Sequence, residues 1–390
     1  MAPLKRKAKS EEIEDSSSKL MALDLLIYIF VRLSVETLLR LKSVCKYWNS
    51  IISSREFAEL YQQHATSIPS LNLFMVDNYS YVCDEGIANK LYTFKIDSSD
   101  VDELYKSNHT WQCTLSKPAH ELDHKLKDAK IYPIGSCNGL ICYIVGLGHS
   151  ILHLWNPATH QYSHIKGPRL SKYSNPLYWG FGYDPLSDDY KILVLGVELG
   201  KPFARIYRPR TGRWRRIECP SAQQMSDFIM VDRKTTEEIE LGSLAVLVGQ
   251  TLYWRVKNLD NLLSFDLTRE SFAILDLPAQ GLDPLTLHHH ICEDFFICQL
   301  RQCLCACWIW NESGNNDRKC ARLYITVWML EGDGVWKKLF KFGGLERGIT
   351  TVPKLFEMKE QGKYLIPNDG FKTFFLCSVD GEKDTIHPNM

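Results

Sequence analysis

A recurring pair of aromatic residues across a turn constrains the fold of this chain more than any other feature. The pattern is an aromatic residue, a polar turn position, a threonine soon afterwards and a second aromatic six residues beyond the turn position. Clear copies lie at 155–162, 207–214 and 265–272. With weaker copies, the turn positions are Asp97, Asn156, Arg208, Asp266, Met329 and Asp380, which are 59, 52, 58, 63 and 51 residues apart. This spacing is typical of four-stranded propeller blades, and a β-sandwich with coincidental hairpins is the alternative.

The rest of the region from Pro69 to the end agrees with a β fold. Short β-branched and aromatic runs, such as 140–145, 190–195 and 324–329, are separated by Gly, Pro, Asn and Asp. Such runs predict strands joined by close turns. One short helix is expected near Asp100–Lys106. We therefore predict an all-β domain over residues 69–390.

Residues 21–65 have a different, helical pattern. Leu26, Ile29, Phe30 and Leu33 follow the spacing of one helix face, and Ser34 and Ser54 suit helix starts. Large apolar residues lie on more than one face of the first helix, because Leu25 is apolar as well. A small bundle cannot bury them all, so we expect some to contact another protein. The predicted fold class is α+β, a helical module followed by the large β domain.

Charge and cysteine content limit the function classes. Lys plus Arg total 46 and Asp plus Glu total 46, so bulk charge favours no nucleic-acid partner. No run is apolar enough for a membrane span, and no secretory signal is recognisable. The 13 cysteines are therefore expected to be free thiols, in the cytoplasm, the nucleus or both. Residues 1–20 are expected to be a disordered tail, in which 5–9 is a solubilising segment or a nuclear-import signal.

The helical module resembles the F-box, which binds a Skp-family adaptor in ubiquitin ligases. The matching residues include Leu23, Asp24, Leu25, Leu26, Arg32, Leu33, Val35, Leu38, Leu39, Arg40, Val44, Cys45, Lys46 and Trp48. Two places differ from the family: Met21-Ala22 replaces Leu-Pro, and Ser34 replaces Pro. We expect the first change to weaken adaptor binding without abolishing it. The resemblance implies these adaptor contacts: Leu25, Leu26, Ile29, Phe30, Leu33, Leu38, Leu41, Val44, Cys45, Trp48 and Ile51.

The β region resembles the F-box-associated domain of plant F-box proteins, including the S-locus and kelch-like kinds. The resemblance rests on these segments: 135–142, 154–159, 180–185, 189–192, 249–254, 263–266, 327–330 and Trp336. It implies a substrate-recognition subunit of an SCF (Skp, cullin, F-box) ligase, with the adaptor, a cullin and an unknown protein client as partners. No catalytic residue and no cofactor are expected.

Three residue groups invite a more specific interpretation. His288–His290, Cys292, Cys298, Cys303, Cys305 and Cys307 suggest a metal site, but they lack paired C-x-x-C spacing, so core packing is favoured and no metal is expected. Cys137 and Cys142 flank the Asn138-Gly139 turn signal and are expected to pack around a hairpin. The arginine run, residues 205–216, contains interleaved aromatics. It is either a solvated outer strand or a client surface, for which Arg205, Tyr207, Arg213 and Trp214 are the candidates.

Two other functions stay open on the sequence. The β domain alone supports an enzyme or a small-ligand binder with a weakened F-box, although no nucleophile elbow, zinc-protease, P-loop or dinucleotide motif is present. The F-box also supports a scaffold that acts outside a ligase.

Overall fold

A computed structural model describes the chain in segments separated by gaps. The described residues are 23–65, 70–77, 90–97, 131–145, 151–157, 159, 161–170, 174–219, 245–255, 261–278, 290–312, 323–332, 334–345, 355–357, 363–368, 373–378 and 385–386. The expected tail and the helix expected near Asp100–Lys106 lie outside them. The chain divides into two compact units, Met1–Pro69 with Asn156–Gln161, and Ser70–Trp155 with Tyr162–Met390. In the described residues, no helix has the length and apolar content needed to cross a bilayer.

The described part of the N-terminal unit contains four short helices. They are α1 (residues 23–30), α2 (Val35–Leu41), α3 (Lys46–Ile52) and α4 (Arg55–Ala65). Ser34 caps α2, because its side chain accepts a hydrogen bond from the backbone N–H of Thr37. Ser54 accepts from the N–H of Phe57 at 3.1 Å, as expected for the start of α4. A turn separates Leu41 at the end of α2 from Lys46 at the start of α3.

The core of the helical unit is aromatic and aliphatic. Its buried members are Phe30, Val31, Leu38, Ile51, Ile52 and Phe57. The ring of Phe30 lies edge-on to Trp48 and Phe57, with centroid distances of 5.2 and 6.4 Å. One side chain of α1 therefore holds α3 and α4 together.

The second unit contains 22 described strands in six sheets, here called A to F. Sheet A has β1 (Ser70–Asp77) and β2 (Lys90–Asp97). Sheet B has β3 (Ile131–Cys137), β4 (Leu140–Val145), β5 (Ile151–Asn156) and β6 (Gln161–Lys166). Sheet C has β7 (Ser174–Asp184), β8 (Asp189–Glu198), β9 (Lys201–Arg208) and β10 (Arg213–Ile217). Sheet D has β11 (Val246–Val248), β12 (Thr251–Arg255), β13 (Asn261–Asp266) and β14 (Ser271–Asp276).

Sheets E and F complete the unit. Sheet E has β15 (His290–Leu300), β16 (Cys303–Glu312), β17 (Leu323–Leu330), β18 (Trp336–Leu345) and β22 (Thr385–Ile386). Sheet F has β19 (Phe356–Glu357), β20 (Lys363–Asn368) and β21 (Thr373–Ser378). In sheets B, C and D, consecutive strands are neighbours from first to fourth. Sheet E begins in the same way, and β22 then pairs in parallel with β18.

The repeat in the sequence is the hairpin between the third and fourth strands of these sheets. Its turn positions Asn156, Arg208 and Asp266 are the last residues of β5, β9 and β13. The second aromatics, two of which are Trp214 and Phe272, lie at the start of the fourth strands. The weaker copies at Asp97 and Met329 lie in β2 and β17, and Asp380 is outside the described residues. The prediction of recurring four-stranded units is confirmed.

Apolar side chains fill the spaces between sheets. One buried cluster joins sheets B and C, a second joins C and D, and a third joins E with F. Sheets C and D come especially close at Gly180, where an added Cβ would lie 2.7 Å from Leu252 Cδ1 and 2.8 Å from Trp254 Cζ2. Only glycine fits there without displacing a neighbour.

Candidate partner-binding surfaces

Helix α1 carries an exposed apolar face. Leu25 is 63% exposed, Tyr28 58% and Ile29 51%. Their spacing of three and four residues places them side by side on the helix. Arg32 extends this face by one turn and lies over the Tyr28 ring, 3.4 Å from its centroid. Val44 and Tyr47 are also exposed. Exposed apolar residues grouped in this way are typical of a protein contact.

The adaptor contacts implied by the sequence fall into three groups. Phe30, Leu38 and Ile51 are buried in the helical core. Partly buried residues pack against that core: Leu26, Leu33, Leu41 and Trp48. Leu25, Ile29, Val44 and Cys45 are exposed. Tyr28 and Tyr47, which sequence reasoning missed, are exposed as well; the three-residue spacing from Leu25 was the signal for Tyr28.

The arginine run forms the hairpin of β9 and β10. Three of its members pair with acids: Arg208 with Glu270 at 2.8 Å, Arg215 with the other oxygen of Glu270, and Arg210 with Asp188 at 2.9 Å. Within the described segments, no acid pairs with Arg205, Arg213 or Arg216. The run therefore contains both neutralised and unneutralised positions.

The two aromatic client candidates lie where sheets B and C meet. Tyr207 and Trp214 are half-buried, pack against the cluster between these sheets, and have ring centroids 5.3 Å apart. Trp214 Nε1 donates to the backbone oxygen of Lys166 at 2.8 Å, at the end of β6. Trp336, on the fourth strand of sheet E, donates in the same way to the backbone oxygen of Asp276, at the end of β14. These indoles connect successive sheets, and only their remaining exposed edges face solvent.

A buried ion cluster connects sheets C and D. Lys191, whose side chain is fully buried, contacts Asp184 Oδ2 at 2.8 Å and Glu270 Oε1 at 2.9 Å, and it donates to the backbone oxygen of Leu267. The hydroxyl of Thr268 donates to Asp184 Oδ1 at 3.0 Å. Sequence reasoning missed this cluster, since its members come from β7, β8 and a turn about 80 residues away.

Burial has opposite effects on the two ends of the Lys191–Asp184 pair. Desolvation is the largest single influence on Asp184, and it raises the pKa of this carboxyl group. Hydrogen bonds from Lys191, Ser187, Thr268 and the N–H of Leu186 together lower the pKa by more than desolvation raises it. The pKa of Asp184 therefore lies well below its ordinary value. Desolvation lowers the pKa of Lys191, Asp184 raises it, and two nearby arginines lower it. We infer that both groups are charged at neutral pH, because Lys191 Nζ contacts only oxygen acceptors.

The cysteines pack as expected for core residues. Cys303, Cys305 and Cys307 share one face of β16; the last two are buried, and Cys298 Sγ lies 3.7 Å from Cys307 Sγ. Burial raises the pKa of Cys307. No cluster of three or more metal-ligating side chains occurs among the described residues. His288 and His289 lie outside those residues, and nothing is described of the His290 and Cys292 side chains.

The Asn138-Gly139 hairpin is confirmed. Both residues have positive φ values, 51° and 76°, as a tight two-residue turn between β3 and β4 requires. Cys142 beyond the turn is fully buried, and burial raises the pKa of Cys137 to about 11. Neither thiol has the low pKa of a reactive cysteine.

Comparison with known families decides what these two units are. A family described as F-box-like matches residues 23–62, and a family described as the F-box associated beta propeller domain matches residues 87–388. The chain belongs to the F-box proteins with an associated β-propeller domain. The four short helices are thus the F-box, and the recurring four-stranded sheets are propeller blades.

Similar proteins are F-box proteins of Arabidopsis thaliana. One is 31% identical over 67% of this chain and 61% of its own length. An F-box/kelch-repeat protein is 26% identical over 83% of this chain and 80% of its own. The chain thus spans about three fifths of the first relative. A solved oligogalacturonate lyase in complex with manganese is 9% identical, covers 82% of this chain and 85% of its own, and has a TM-score of 0.38. A likeness this low supports no argument.

Proposed function

We propose that this F-box protein is the substrate-recognition subunit of an SCF-type ubiquitin ligase. The F-box docks a Skp-family adaptor that is bound to a cullin, and the propeller holds a protein client. The chain itself carries out no chemistry. It raises the effective concentration of client lysines near the charged ubiquitin-conjugating enzyme. Such a role places the chain in the cytoplasm, the nucleus or both.

The observation that carries this proposal is the exposed apolar face of α1. The F-box already has a closed core around Phe30, so Leu25 and Ile29 contribute nothing to that core while they stay in water. Burying each against a partner contributes about 1.5–3 kcal/mol before association costs. A helical face that gains stability only on contact is what a docking module requires.

Adaptor capture by surface variants tests the docking. Leu25→Asp is co-expressed with a tagged Skp-family adaptor and compared with Leu186→Asp, a matched substitution at an 81% exposed turn of the propeller. We expect Leu25→Asp to weaken adaptor binding by more than about tenfold, because it removes apolar contact and buries a charge. Leu186→Asp should bind like the wild type. Equal adaptor recovery from both variants, each with a wild-type circular dichroism spectrum, would refute docking through α1.

A further inference from the structure

Two of the three unneutralised arginines form a pair across the β9–β10 hairpin. Arg216 on β10 lies directly opposite Arg205 on β9, two residue pairs beyond Trp214 and Tyr207 and therefore on the same face of the hairpin. Two like charges at directly opposite positions destabilise a hairpin. In the described residues, no carboxylate forms an ion pair with either of these two guanidinium groups. An anionic group between the two guanidinium groups would remove the repulsion and replace it with charge-assisted hydrogen bonds.

More positive charge lies next to this pair. Arg205 Nη1 donates to the backbone oxygen of Arg169 at 2.6 Å, and the Trp214 indole donates to the backbone oxygen of Lys166. These two bonds hold the end of β6 and the segment that follows it, with exposed Lys166 and Arg169, beside the hairpin. Glu218, two residues beyond Arg216, is exposed and makes no ion pair within the described chain. Lys166, Arg169, Arg205 and Arg216 are here called the cationic seam.

Strand β10 provides a backbone beside these charges. It is the last strand of sheet C in the order of the described strands, so its outer edge has no described strand partner. An extended peptide can add to such an edge through main-chain hydrogen bonds, and alternate side chains then face one side of the sheet. On β10 that side carries Trp214 and Arg216.

These observations, together with the proposed receptor function on which the inference rests, identify a partner chemistry. We propose that the client presents an extended acidic segment, which adds to β10 and directs alternate carboxylates at the cationic seam. A peptide is favoured over a nucleic acid because the chain has zero formal net charge and so lacks the broad positive field that a polyanion needs.

Peptide binding to the purified complex of full chain and adaptor tests this inference. The probe is a fluorescein-labelled peptide of four Glu-Ser repeats, measured by fluorescence anisotropy; a Gln-Ser peptide and a single-stranded oligonucleotide of equal charge are the comparisons. The variant is Arg216→Glu, which breaks no ion pair. Its matched control is Lys338→Glu, because Lys338 follows Trp336 by two residues as Arg216 follows Trp214, yet lies opposite Trp328 instead of a cation.

We expect the Glu-Ser peptide to bind at least about tenfold more tightly than the Gln-Ser peptide, with affinity falling as salt rises. Arg216→Glu should lose at least about tenfold and Lys338→Glu less than about twofold. Equal effects of the two variants, equal binding of the two peptides, or binding of the oligonucleotide alone would each overturn the inference. Adaptor retention in the same preparation measures adaptor binding by the F-box separately. Loss of peptide binding at the cationic seam is therefore distinguishable from loss of adaptor binding.

Discussion

Replacement of Lys191 by methionine should destabilise the propeller strongly. The variant keeps most of the side-chain volume but removes the cation between Asp184, with a 3% exposed side chain, and Glu270, with a 12% exposed one. Removing one partner of a buried ion pair costs about 3–5 kcal/mol. Asp184 keeps its bonds from Ser187 and Thr268, and Glu270 keeps two arginines, so we expect the lower value, about 3 kcal/mol.

Thermal unfolding followed by tryptophan fluorescence measures this loss. Of the ten tryptophans, only Trp48 precedes residue 70, so the signal reports mainly the propeller. The matched control is Lys201→Met on an exposed position of β9, which should stay within about 0.5 kcal/mol of the wild type. For a domain of roughly 320 residues, a loss of about 3 kcal/mol corresponds to a fall in Tm of about 4–5 °C. If Lys191→Met and Lys201→Met have the same Tm, the ion cluster does not stabilise the contact between sheets C and D.

The same pair sets the acid dependence of stability. Because the pKa of Asp184 is lower in the folded chain than in the unfolded one, its contribution is complete above the unfolded value of about 4 and is lost as pH falls towards the folded value. Unfolding measured from about pH 6 down to pH 3 should therefore show a smaller acid-induced loss in Lys191→Met than in the wild type. An unchanged acid dependence would contradict the assigned ion pair.

Three further results are expected. Gly180→Ala should destabilise the propeller by about 1–3 kcal/mol, because its methyl would overlap Trp254, and urea unfolding measures this. Trp214→Phe keeps an aromatic ring but loses the indole hydrogen bond to sheet B, so the free energy of unfolding should fall by about 0.5–1.5 kcal/mol in the same assay. An unchanged free energy of unfolding would show that this bond does not stabilise the propeller. Iodoacetamide should label exposed Cys45 before fully buried Cys142, as peptide mass spectrometry can show; the reverse order would contradict the described burial.

The sequence predicted the elements whose cause is local. The three hairpins that follow Asn156, Arg208 and Asp266 depend on a turn and two flanking aromatics, all within a few residues; the structure places each between the third and fourth strands of its sheet. The caps at Ser34 and Ser54 are equally local. The core packing predicted for Cys305 and Cys307 agrees with a local cause as well, because alternation along a strand places both on one face without tertiary information.

Features that depend on distant residues escaped prediction. In the arginine run, Arg208 and Arg215 look like Arg205 and Arg216 in the sequence; only Glu270, supplied by sheet D, distinguishes them. In the F-box, helical spacing grouped Ile29 with Phe30, yet Phe30 is 2% exposed and Ile29 51%, because α3 and α4 cover only one side of α1. Burial by a partner element cannot be read from the period of one helix.

Native mass spectrometry of the chain co-expressed with a Skp-family adaptor and a cullin tests the central claim most directly. The account predicts one copy of each chain in a single assembly, and loss of adaptor and cullin together in Leu25→Asp while the variant chain stays folded. Recovery of the wild-type chain alone, folded and free of both partners, would contradict the assignment of this protein as an SCF substrate receptor.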